Sequence, residues 1–90
     1  MICLYEYNID MQTYTQSGKI VADCNGIEFI NVGTSNVLIN STLPLAPQGS
    51  WSVDGNSLET DRTPYTITFD NTGINNCVVN RKLYLKMEII

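Results

Sequence analysis

Apolar residues in this chain recur at a spacing of two, and no window sustains the three-to-four spacing of a helix. Tyr65-Thr66-Ile67-Thr68-Phe69 is the cleanest case, with aromatic and branched side chains on one face and threonines on the other. Ser50-Trp51-Ser52-Val53 alternates in the same way. Turn-forming clusters stand between such runs at intervals of about 8 to 12 residues, a pattern of short antiparallel strands. Composition agrees: Asn, Ser, Thr and Gly are abundant, and Ala22 and Ala46 are the only alanines. The expected fold class is all-β, a small antiparallel β-sandwich of jelly-roll or Ig-like type with about 7 to 8 strands.

Length sets the number of cores. For ninety residues, 43% of them hydrophobic, surface scaling leaves about 5,300 Å² exposed out of about 14,600 Å² for the extended chain, so roughly 64% is buried. That suffices for one domain over residues 1–90, with residues 1–10 as an N-terminal strand or arm that can reach another subunit. The inner faces should hold Phe29, Ile39, Trp51, Val53, Ile67, Phe69, Val79, Leu83 and Leu85.

Several local expectations follow along the chain. Asn25-Gly26, between Ile20 to Cys24 and Ile27 to Asn31, offers the two positive-φ positions of a type I′ hairpin turn. Met11 to Lys19 is polar and reads as loop. Pro44 and Pro47 let Leu43 to Gly49 run extended or along a sheet edge but bar it from a central strand, and it reads as a crossing loop. The last strand runs from Cys77 to Ile90, and Arg81 interrupts its apolar face, which calls for a bulge or a paired arginine at a sheet rim. The opening residues, Ile2 to Tyr5, are apolar on both faces and want cover from another layer or another subunit.

Charge excludes some partners. Five basic against nine acidic residues give a net charge of -4 and an isoelectric point near 4.4, too few cations to neutralise several phosphates or hold an anionic bilayer. No nucleic-acid or membrane partner is expected. Arg81, Lys82 and Lys86 read as a solvated strand edge. The start, Met1 to Met11, lacks a basic region and a small-residue cleavage site, so a cytoplasmic chain is expected unless it leaves on a larger particle.

Chemistry is sparse. The chain has no histidine, which removes Ser/His and Cys/His nucleophilic arrangements. Cys3, Cys24 and Cys77 have no metal-ligand spacing and read as small buried hydrophobes. Asp54, Glu59 and Asp61 lie close in sequence, but a small sandwich has no deep cleft to raise one carboxylate's pKa, and the loop lacks the DxDxDG calcium spacing. Asn40-Ser41-Thr42 is a glycosylation sequon expected by chance in so polar a chain. No catalytic residue, cofactor or metal is expected, and the chain is read as no enzyme. Tyr5, Tyr7, Tyr14, Tyr84 and Trp51 could form an aromatic platform for sugars, the alternative being tyrosines at a subunit interface.

Phe29 to Asn40, followed by Leu43-Pro44-Leu45-Ala46-Pro47-Gln48-Gly49-Ser50-Trp51-Ser52-Val53-Asp54-Gly55-Asn56, Glu59 to Phe69 and Val78 to Tyr84, resembles small all-β virion structural proteins of tailed bacteriophages, of the crAss-like type that infects gut Bacteroidota. The resemblance implies an auxiliary capsid, head-fibre or tail-associated subunit, assembled in the host cytoplasm into the virion. Together with the N-terminal strand apolar on two faces and the edge character of the last strand, it leads to the expectation of homo-oligomers docking on capsid or fibre subunits. The interface would draw on Ile2, Leu4, Tyr5, Tyr7, Tyr84, Ile89 and Ile90. The alternatives are a carbohydrate-binding or adhesion module and a small acidic inhibitor of a host protein.

Overall fold

The alternation resolves into strands β1 (Ile2–Tyr14), β2 (Gly18–Val21), β3 (Gly26–Asn31), β4 (Val37–Ile39), β5 (Leu43–Leu45), β6 (Ser50–Asp54), β7 (Pro64–Phe69) and β8 (Cys77–Ile89). The structure, a computed structural model, describes the backbone from Ile2 to Ile89 and the side chains of residues 6–85. One sheet has the order β1-β8-β3-β6 and the other β2-β7-β4-β5, with every pair antiparallel. Every connection crosses between the sheets except β4 to β5. This is the strand order of an eight-stranded jelly roll, the former of the two expected sandwich types.

The sheets meet around Phe29, which is fully buried on β3 with Val79 of β8 beside it. Its ring lies 6.1 Å from Trp51 in a stacked arrangement and 5.1 Å from Tyr65 edge-on, so aromatics from both sheets interlock. Tyr65, Ile67 and Phe69 of β7 point inward, as their alternation dictates, and Val37, Ile39 and Leu45 complete the facing layer. Trp51 and Leu83 pack against this core while only partly buried. Val53 and Leu85, expected inside, are 39% and 50% exposed. Val53 sits on the edge strand β6, and Leu85 lies beyond the point where β8 leaves β3.

Asn25-Gly26 does not form a hairpin. The segments on either side belong to different sheets, and neither residue has a positive φ. Gly26 lies close to β6: a Cβ there would meet the exposed, movable Asp54 Oδ1 at 2.6 Å and lie in ordinary contact with the Val53 carbonyl oxygen at 3.4 Å. The turn with two positive φ values occurs instead at Asn40 (50°) and Ser41 (55°), between β4 and β5. The sequon is therefore the tip of the one hairpin between successive strands among the described residues. Leu43–Leu45 takes the sheet-edge course that its prolines allow and forms a strand there, where a crossing loop was expected; Pro44 is tolerated because no described strand lies on its far side.

Met11 to Tyr14, expected as loop, continues β1 because Asn80, Val79, Val78 and Cys77 of β8 pair with it in unbroken register. That continuity leaves no bulge at Arg81, whose guanidinium is paired at the rim instead. The β1–β8 pairing then outruns the sandwich. β3 pairs with β8 from Cys77 to Lys82, whereas β1 follows β8 to Ile89. At about 3.4 Å per residue, the ribbon beyond Lys82 extends about 24 Å. The longest dimension is 55 Å against 19 and 17 Å for the others. The radius of gyration is 15.1 Å, where a compact chain of this length has about 12 Å.

Candidate functional site

Asn25 builds the base of the ribbon. Its backbone N–H donates to the Lys82 carbonyl at 2.7 Å, and its Oδ1 accepts from the Tyr84 N–H at 2.9 Å. The side chain thus adds one rung to the β3–β8 ladder just where β3 ends. Its Nδ2 donates to the Glu59 and Asn56 carbonyls, tying the β6–β7 connection to the same point. Sequence reasoning missed this role because Asn-Gly is also the strongest short hairpin signal.

A second anchor lies on the inner side of the ribbon. Arg81 Nε and Nη2 donate to Asp10 Oδ2 at 3.0 and 2.7 Å, and Nη1 donates to the Ala22 carbonyl at 3.1 Å. The hydrogen bonds from Arg81, and then from Gln12, hold the Asp10 carboxyl below its ordinary pKa. One guanidinium therefore joins β1, β8 and the β2–β3 crossing, which explains an arginine on an otherwise apolar face.

Tyr7 and Tyr84, both expected at an interface, face each other across the β1–β8 register. Their rings lie 5.8 Å apart at 67°, and Lys82 Nζ sits 5.0 and 4.9 Å from the two centroids. The hydrogen bond to Tyr84 and the Asp54 carboxylate, 3.9 Å away, raise the Lys82 pKa. Tyr7, Ile9 and Met11 alternate along the same face of β1 and are 57%, 44% and 69% exposed. Ile9 and Met11 were absent from the sequence-based interface, although their odd-numbered spacing with Tyr5 and Tyr7 carries the signal. Ile90 lies outside the described residues, as do the side chains of Ile2, Leu4, Tyr5 and Ile89. Beside the stripe, a shallow groove of about 230 Å³ opens over Gly26, where Asn80 donates to Glu28 at 3.1 Å.

The remaining candidates are dispersed or engaged. Trp51 and Tyr14 pack toward the core, away from Tyr7 and Tyr84, so these aromatics do not combine into one open platform. In the acidic loop, Glu59 Oε1 accepts from the Asn56 N–H, and Asp61 accepts from the Thr63 N–H and the Tyr65 hydroxyl. Burial raises the Asp61 pKa, but the bonds from Thr63 and Tyr65 outweigh it and the net shift is downward. Cys24 and Cys77 are free and buried; burial pushes the Cys77 thiol to about 11 and also raises Cys24. The Cys3 side chain lies outside the described residues. Among the described residues no three His, Cys, Asp or Glu side chains are placed to share a metal ion, and no helix is long and apolar enough to cross a membrane. No protein-family model, curated protein or solved structure matches the chain.

Proposed function

We propose that this chain is a non-enzymatic structural subunit of a phage virion, an auxiliary or decoration capsid protein or a fibre-associated subunit, that acts by protein–protein assembly. The observation that carries this reading is the β1–β8 ribbon, which leaves the sandwich beyond Lys82 with no third strand beside it among the described residues. A two-stranded ribbon on its own is marginally stable in water, so its full length is best explained by contacts to another subunit. The jelly-roll strand order is compatible with this role, since capsid domains use it, although lectins and cupins do so as well. The pairing of Tyr7 with Tyr84 and the exposed Ile9 and Met11 fit the same role, because aromatic and Met side chains are enriched in protein interfaces.

Mass spectrometry of gradient-purified particles from cells that express the gene tests the proposal. The chain should co-sediment with the major particle proteins in many copies and resist a high-salt wash. Recovery only from the soluble fraction would overturn the reading.

A further inference from the structure

The two sheets end in four edge strands, β1, β6, β2 and β5, and beyond Lys82 the far side of β8 has no described strand beside it either, along a stretch that carries Lys86. Three of the four edge strands carry features that discourage further pairing. β2 spans four residues and carries Lys19, β5 spans three and carries Pro44, and β6 is a five-residue strand with two serines and Asp54. Short strands, lysine, proline and charge are the usual protection of an exposed edge. β1 has none of the stronger devices: it runs for 13 residues without Lys, Arg, Pro or Gly. β8 occupies one of its sides, and no described strand occupies the other. Of its acidic residues, Asp10 is already neutralised by Arg81. Every second N–H and C=O along β1 therefore points outward beside the exposed Tyr7, Ile9 and Met11.

We propose that this edge pairs antiparallel with β1 of a second copy, about a two-fold axis that sets Ile9 opposite Ile9 of the partner subunit. The inference rests on the assembly reading and specifies its contact. Opposed residues in an antiparallel pair share a face, so this register places Tyr7 against the partner's Met11 on the outer face and joins the three exposed apolar side chains into one strip. On the other face it sets Asn8 opposite the partner's Asp10 and Glu6 opposite the partner's Gln12, so that each carboxylate meets an amide. Neighbouring registers lack this match. Centring on Asn8 opposes Glu6 to the partner's Asp10, and centring on Asp10 opposes that carboxylate to its own copy. The result is isologous, as a two-fold interface requires, and it merges two four-stranded sheets into one of eight strands.

The intact chain and Ile9→Lys are compared by light scattering, with circular dichroism to verify folding, because Ile9 is exposed and its replacement leaves the core intact. The intact chain should have twice the molar mass of Ile9→Lys, with the two spectra superimposable. In a Cys3→Ser background, Ile9→Cys should oxidise to a linked dimer. Met11→Cys should link only when mixed with Tyr7→Cys. An intact chain that is monomeric, a dimer that survives Ile9→Lys, or self-linking of Met11→Cys would each overturn the edge pairing. If the chain is nevertheless recovered in particles, the assembly reading stands without this contact; absence from particles removes both.

Discussion

At the scale of single residues, asparagine side chains tie together segments distant along the chain, Asn25, Asn31 and Asn40 among them. Asn31 is fully buried, and its Nδ2 donates to the Ser35 and Leu45 carbonyls at 2.8 and 3.0 Å, while its Oδ1 accepts from the Gly33 N–H at 3.1 Å. All its polar groups are thereby engaged, and three backbone groups depend on it. Asn31→Ala should destabilise the fold by about 3 kcal/mol, because it strands buried carbonyls that water cannot reach. Urea denaturation checks this, and a loss below about 1 kcal/mol would show that the pocket rehydrates. Neither Asn31 nor Asn25 announces its role in sequence. Asparagine serves equally for positive φ and for its amide, and which use prevails depends on partners such as Leu45 or Tyr84, distant along the chain.

At the scale of elements, legibility follows how local the determining contacts are. β7 is readable because its alternation and its burial coincide, with Tyr65, Ile67 and Phe69 all inward. The polar end of β1 is not, since Met11 to Tyr14 become strand only by pairing with the far end of the sequence. The β7–β8 connection shows how a loop is held. Asp70 accepts from the Asn36 N–H and Nδ2 and from the Thr72 N–H and hydroxyl, which joins it to the β3–β4 crossing. The bonds from Thr72, and then from Asn36, lower its pKa from 3.8 to about 2. A carboxylate more acidic in the folded than in the unfolded chain contributes stability above the unfolded value, and that contribution disappears as pH falls through the folded one. Melting temperature should therefore fall between pH 3.8 and about 2, and Asp70→Asn should make that fall shallower. An unchanged acid slope in the variant would mean that the connection is held without this carboxylate.

At the scale of the whole molecule, the sequence pattern specifies a sandwich more readily than its connectivity. Period-two alternation sorts side chains into inside and outside but does not say which strands are neighbours, and crossing connections use the same Asn and Gly residues as hairpins. The ribbon was legible only as unusual apolar character near Ile2 to Tyr5, because its projection depends on β3 stopping at Gly26 while β1 and β8 continue. The unequal edges and the 55 Å length describe a sandwich in which β1 has no described strand on its outer side, the edge for which pairing with a second copy is proposed. Hydrogen exchange across a range of protein concentrations tests that claim most directly, because a strand completed by another subunit gains protection by mass action. Amides from Glu6 to Tyr14 should become more protected as concentration rises, while those of β3 and β7 stay constant. Protection of β1 that is independent of concentration would contradict it.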